Sequence, residues 1–316
     1  MDDQALSQSI KRLGLLPVVY AVKPVLALLN YNSFQQLKAV TAGLALGPLL
    51  KRQPRFIYKY MVPYAAANFK RSTRLAVLIN HYQYITKWAN TGFFPAMAHS
   101  PVIWRKSFGS DECTIALSFP LHVSNEAELS LHLTWNSMLT QVVSFVIAPG
   151  SVVGATGLQV LLISQVQGFA NATQLKDITK TLDDITPATL LVHAAYGLAA
   201  ALRIDTAAGV SRENKVGKWL HRHFDYDAFW LDLKGALNEK GDLFLLPIPP
   251  PEKPIAEIKR NHRARTLRKR LFKENVRQEV AQFWQSNFGL NHPDRAEPLT
   301  KPGERQSDEL ELVSTC

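Results

Sequence analysis

At Cys113 the apolar residues of this chain stop recurring every third or fourth position and begin to recur every second one, and that switch governs what the chain can fold into. Before it, Leu37, Val40, Leu44 and Leu49, then Leu75, Leu78, Ile79 and Tyr82, keep helical spacing. Residues 5–95 are therefore expected to be helical. After it come short Val-, Ile- and Leu-rich runs at 114–123 and 128–135, around Ser124-Asn125-Glu126, and at 139–148 and 158–165, around Pro149-Gly150-Ser151. Consecutive strands joined by turns predict an antiparallel meander.

The helical period returns with Leu175, Ile178, Leu182 and Ile185. Thr186-Pro187 supplies an N-cap and a first-turn proline for a helix over 188–202, apolar almost all round and so expected to be buried. A strand over 204–210 and a hairpin of 229–233 with 243–248 follow, the hairpin bracketing Gly235 and Gly241. Five prolines within 247–254 make a stiff connection. The expected fold class is α+β: a helical section over 1–95, a mostly antiparallel sheet with helices over 96–255, a basic amphipathic helix over 256–290 and a disordered tail over 291–316. With 47% hydrophobic and 20% charged residues, the chain has enough apolar surface for a large core, which excludes fibrous and wholly disordered readings.

The net charge of +10 is local. Lys259, Arg260, Arg263, Arg265, Arg268, Lys269, Arg270, Lys273 and Arg277 stand together with Glu274 as the one acid among them. Leu267, Leu271, Val276 and Val280 form a loose apolar stripe through that run. Such a helix suits an anionic membrane surface, an acidic partner such as an envelope protein, or nucleic-acid phosphates. No aromatic residue interleaves its first half, so sequence-specific reading of nucleic acid is not supported. The start of the chain is acidic, and Pro17 interrupts its apolar stretch, unlike a secretory signal; lysines punctuate 13–52, so no bilayer-spanning run exists there. A cytoplasmic location is expected, with a peripheral place at the inner membrane open to the segment 13–29. Cys113 and Cys316 have no neighbours at metal-ligand spacing, and no metal is expected.

Walker, nucleophile-elbow, dinucleotide and zincin signatures are all absent. A smaller pattern is present: Gln165-x-Gln167-Gly168-x-Ala170, leaving a strand and entering a helix begun at Asn171 or Thr173. It resembles the pyrophosphate-binding loop of GNAT-type acyltransferases, where small residues let backbone N–H groups approach the cofactor at a helix N-terminus. The resemblance implies acyl-CoA or an acyl carrier protein as cofactor, held by Gln165, Gln167, Gly168, Ala170 and Asn171. It also implies a GNAT-like sheet, with two helices rather than one before the next strand. General acid and base candidates are Asp225, Tyr226 and Asp227, in a segment that also carries His221 and His223, and Glu128, on a hairpin with Glu126, His122 and His132. The plainer reading makes Asp225 a turn cap and Phe224, Phe229 and Trp230 core anchors; His193, in the apolar helix, reads as a buried, neutral, hydrogen-bonded side chain.

Gly157-Leu158-Gln159, Gln165-Val166-Gln167-Gly168, Thr179-Lys180-Thr181-Leu182, Gly209-Val210-Ser211, Asp225-Tyr226-Asp227-Ala228-Phe229-Trp230, Leu246-Pro247 and Lys259-Arg260 with Arg263 and Arg265 occur in this order. The series resembles the VirK/YbjX family of enterobacterial proteins over residues 50–275. That resemblance implies a virulence-associated factor supporting the cell envelope, through envelope protein localisation or resistance to antimicrobial peptides, and it carries over no catalytic residue. Two mechanisms fit these residues: acyl transfer to a lipid or protein, or a non-catalytic adaptor seated through its basic helix.

Overall fold

Alternation along the period-two stretch produces a mixed sheet in which five strands form an antiparallel meander. The computed structural model describes residues 31–52, 56–120, 125–217 and 224–290. Segment 13–29, His122, His221, His223, Cys316 and the tail over 291–316 lie outside the described residues. The strands are β1 (Val102–Phe108), β2 (Asp111–Ser118), β3 (Leu129–Trp135), β4 (Met138–Pro149), β5 (Gln159–Gly168), β6 (Thr206–Val210), β7 (Ala236–Leu237) and β8 (Leu243–Pro247), in the spatial order β1-β2-β3-β4-β5-β6-β8-β7. All neighbours are antiparallel except β5 and β6. An α+β architecture with a mostly antiparallel sheet is thus what the period switch predicts and what forms.

The helices in chain order are α1 (Tyr31–Thr41), α2 (Gly47–Arg52), α3 (Arg71–Trp88), α4 (Phe93–Met97), α5 (Gly150–Val153), α6 (Ala172–Thr181), α7 (Pro187–Ala201), α8 (Tyr226–Asp232) and α9 (Arg260–Asn287). Val77, Leu78, His81, Tyr82 and Ile85 form the buried stripe of α3 at the expected helical spacing. Strand β4 continues past its last partner on β3, and α3 completes the missing bonds: the Ile147 N–H donates to His81 Nδ1 (3.1 Å) and Asn80 Nδ2 donates to the Ile147 carbonyl (3.0 Å). The Thr186 hydroxyl caps α7 by accepting from the Thr189 N–H, and Pro187 occupies its first turn as expected. Helix α9 lies along α7, where Gly197 faces the α9 backbone at Arg277, and its Phe272 meets Trp104 and Phe108 of β1. The end of α3 is clasped to the end of α9 by an antiparallel bridge between Ala89 and Gly289, with the Asn90 N–H donating to the Phe288 carbonyl (2.7 Å).

Three expectations are corrected. A strand not foreseen, β1, opens the meander; its apolar residues Val102, Ile103 and Trp104 are consecutive and show no alternation. The strands expected over 114–123 and 128–135 are Asp111–Ser118 and Leu129–Trp135, so their connection is longer than the turn at Asn125-Glu126. Residues 229–232 belong to α8 and Leu233 caps its end, so 229–233 is not a strand: the Asp225 carboxylate accepts from the Ala228 N–H (3.1 Å) and starts a helix, and the final hairpin pairs β8 with the two residues of β7.

Candidate functional site

Parallel strands β5 and β6 are paired only where Leu161, Leu162 and Ile163 face Ala207, Ala208 and Gly209. The register with β4 jumps from Ser144–Gln165 to Phe145–Ile163, which leaves Ser164 as a bulged residue. A bulge bends its strand, and β5 parts from β6 just there. Helix α8 fills the parting. Tyr226 Oη accepts from the Val166 N–H (3.0 Å) and donates to the Val166 carbonyl (3.2 Å), while Trp230 Nε1 donates to the Val210 carbonyl (2.8 Å). Burial, with Glu126 adding to it, raises the Tyr226 phenol well above its ordinary range, so it carries its proton. Asp225 and Asp227 hold this helix in place, Asp225 as its cap and Asp227 by accepting from the Arg212 N–H (2.8 Å). Replacing Tyr226 with Phe leaves the buried Val166 groups unpaired and is expected to cost about 1–3 kcal/mol in chemical denaturation; a change under 0.5 kcal/mol would show that water takes over both bonds.

A row of polar side chains crosses one face of the sheet from β3 through β4 to the end of β5. Ser130 and Ser144 share a hydrogen bond (2.7 Å), Ser144 Oγ donates to Gln165 Oε1 (2.8 Å), and Gln165 Nε2 donates to Gln167 Oε1 (3.2 Å). An added Cβ at Gly168 would stand 3.4 Å from Gln141 Oε1, in ordinary contact. The N–H groups of Phe169 and Ala170 both point to the Thr140 carbonyl (2.9 and 3.4 Å). Asn171 and Gln174 form a reciprocal capping box at the start of α6. Gln165, Gln167 and Gly168 at the end of β5 and Ala170 and Asn171 in the loop after it are thus neighbours beside the parting.

Glu128 lies elsewhere, in a buried polar centre between the helical section and the sheet. Its Oε1 accepts from Lys59 Nζ (2.7 Å) and its Oε2 from the Tyr82 hydroxyl (2.5 Å). Lys59 also donates to the Ala127 carbonyl (3.1 Å). Tyr82 and Tyr64 are both raised well above the ordinary phenol range, by burial and then by the Glu128 charge. His81 is pushed down to about 3, by burial and by Lys59, and His193 well below 6.5, by burial and by Lys273 and Arg277. Neutral His193 accepts a hydrogen bond at Nδ1 from the Arg277 guanidinium (3.0 Å), as a buried histidine should. Both histidines stay neutral in the fold while the unfolded chain protonates near 6.5. As pH falls below about 6.5, stability is therefore expected to drop by about 1.4 kcal/mol per pH unit for each, down to about pH 3 for His81. Urea midpoints at a series of pH values measure this slope, and a slope unchanged in His81→Asn would refute its assignment.

The cationic helix α9 is partly neutralised from within. Arg268 pairs with Asp183 (2.7 Å), Arg265 and Lys269 with Asp184, and Arg270 and Lys273 with Glu252 (2.8 and 3.9 Å). Asp183 and Asp184 both take left-handed backbone angles in the turn before α7. The Arg265 hydrogen bond holds the Asp184 carboxyl below its usual range. Arg263 donates to the carbonyls of Ile258 and Ala256 (both 2.9 Å). Lys259, Arg260, Leu267 and Leu271 are exposed.

The foreseen acidic residues are therefore not one cluster: Asp225 and Asp227 position α8, Tyr226 enters the strand parting, and Glu128 is tied to Lys59. Lys59, Tyr82 and His81 were not foreseen, because their partners lie 46 or more positions away on other elements. Among the described residues no group of His, Cys, Asp and Glu could hold a metal, and no helix is long and apolar enough to cross a membrane. A family model described as "Protein of unknown function (DUF535)" matches residues 19–282. The chain is 24% identical over 251 residues to "Uncharacterized protein YbjX" of Escherichia coli (strain K12), covering 75% of this chain and 74% of that protein. No solved structure matches.

Proposed function

The chain belongs to the VirK/YbjX family, the family of the DUF535 model, and on that premise we propose that it transfers an acyl group from a thioester to an amine or hydroxyl acceptor. The observation that carries this reading is the opened β5–β6 pair with the Tyr226 hydroxyl at the Val166 amide. An extended ligand rich in amides, such as a pantetheine arm, pairs well with an unpaired strand edge. The Gln165-x-x-Gly168-x-Ala170 pattern at the exit of β5, and the hairpin placed beyond β6, are features in common with GNAT-like acyltransferases. In this reading the incoming arm displaces the Tyr226 hydroxyl, and the Val166 N–H then faces the oxygen of the thioester carbonyl as negative charge develops on it. The acceptor's nitrogen or oxygen bonds to the acyl carbon as the C–S bond breaks. The Tyr226 proton passes to the departing sulfur, and the proton lost by the acceptor restores it. Asp225 and Asp227 act by holding α8, and Glu128 by holding the helical section on the sheet. An acceptor among envelope lipids or proteins follows from the family resemblance alone.

Acyl-pantetheine titrated by calorimetry, and acyl transfer followed by mass spectrometry of lipid and protein acceptors, test the reading. Binding is expected, Ala170→Glu and Gly168→Val are expected to abolish it with the fold intact, and Tyr226→Phe is expected to slow transfer by about 10²-fold. No binding of acyl-pantetheine, or none of these variants altering it, would overturn acyl transfer. The second reading, a non-catalytic adaptor at an anionic membrane or acidic partner, is favoured by Leu267 and Leu271, which stand 50% and 62% exposed among the cations of α9.

A further inference from the structure

The loop that would cradle a pyrophosphate already uses several of its donors. Phe169 and Ala170 give their N–H groups to Thr140, and the Asn171–Gln174 box takes two more at the start of α6. A free nucleotide donor would have to break these bonds to gain the Phe169 and Ala170 amides. Cations are instead found from the middle of α6 to its far end. Lys176 and Lys180, four positions apart on that helix, are exposed and lead from the loop to the Asp183-Asp184 turn, where Arg265, Arg268 and Lys269 converge; Lys259 and Arg260 extend the field. The two aspartates fix the guanidinium groups in place without cancelling the surplus of positive charge. At ten residues, α6 is about 15 Å long.

Resting on the acyl-transfer reading, we propose that the donor is an acidic acyl carrier protein, which docks on the cationic surface of α6 and α9 and sends its acylated phosphopantetheine arm along α6 to Val166. The arm is built of peptide-like units that advance about 3.5 Å each, and it spans this helix when extended. Its phosphodiester lies at the carrier surface, among the lysines, and makes no demand on the occupied amides of the loop. In transfer the acyl carbon leaves the carrier's sulfur for the acceptor's nitrogen or oxygen, and the acceptor's proton ends on the carrier's thiol. A surface so charged gives fast, salt-sensitive association with an acidic partner.

The test compares binding of an acylated bacterial carrier protein, acyl-CoA and acyl-pantetheine of the same chain length to the full-length protein at several salt concentrations. The carrier is expected to bind more tightly than acyl-CoA by about tenfold or more, with affinity falling steeply as salt rises. The double variant Lys176→Glu/Lys180→Glu is expected to weaken carrier binding about tenfold and to leave acyl-pantetheine binding and the melting temperature unchanged. Acyl-CoA binding as tightly as the carrier, or carrier binding indifferent to salt and to the double variant, would overturn the proposal. So would binding to phosphatidylglycerol vesicles with none to the carrier. If acyl-pantetheine binds and the carrier does not, this inference fails and acyl transfer stands; if neither binds, both fail.

Discussion

Replacing Lys59 with Met is expected to lower the stability of the protein by about 3–5 kcal/mol, the range for removing one partner of a buried ion pair. The Lys59 and Glu128 side chains are 1% and 0% exposed, and no water-facing path relieves the carboxylate once the ammonium is gone. The Tyr82 hydroxyl remains as a donor to it. Since Lys59 sits in the 3-10 turn Phe56–Met61 of the helical section and Glu128 just before β3, the loss is also expected to loosen that section from the sheet. Chemical denaturation at pH 7 gives the magnitude. The double variant Lys59→Met/Glu128→Gln removes both charges and is expected to regain more than half of the loss, since a neutral amide is less costly to bury than a lone carboxylate. A single variant within 1 kcal/mol of the parent would show that the pair is not formed in solution.

Gly197→Val is the second large effect. A Cβ at this position would stand 2.5 Å from the Arg277 carbonyl oxygen and 3.1 Å from both Arg277 Cα and Val280 Cβ. Two of these obstacles are backbone, so no change of rotamer relieves them, and α7 must move away from α9. Overpacking costs about 1–3 kcal/mol where side chains can shift, and a clash between helix backbones belongs at or above the top of that range. The seam it opens buries Val276, Val280 and Trp284, together with the bond between His193 and Arg277. Thermal unfolding and protease sensitivity of α9 are the measurements; a melting temperature equal to the parent's would mean that the helices cross farther apart than they do here. Gly197→Ala, with a single added carbon, tests the same contact at a smaller dose.

Elements marked by a regular alternation or by a local capping signal were legible in the sequence, and elements defined by distant partners were not. The polar and apolar alternation of Ser130, His132 and Thr134 with Leu131 and Leu133 marks β3 without ambiguity, and Thr186-Pro187 marks the start of α7. Residues 229–233 misled because Phe229, Trp230, Leu231 and Leu233 are apolar in a run too short to show a period; the deciding contact is the Asp225 cap, which a sequence offers equally as an acid. Ser164 and its bulge leave no trace in composition, yet the parting of β5 from β6 depends on them. The cationic run was plain, whereas its neutralisation was not: Asp183, Asp184 and Glu252 reach it from turns in other parts of the chain.

The clasp between Ala89 and Gly289 bears on how the protein is made. The first helices leave the ribosome long before their closing partner exists, and α7, with twelve buried residues, emerges before the helix that covers it. Until α9 is synthesised, the nascent chain carries an apolar helix without its cover and a first section without its latch. Premature termination anywhere upstream of Arg260 is therefore expected to yield a sticky, unfinished product and not a smaller working one, since the final packing waits for α9.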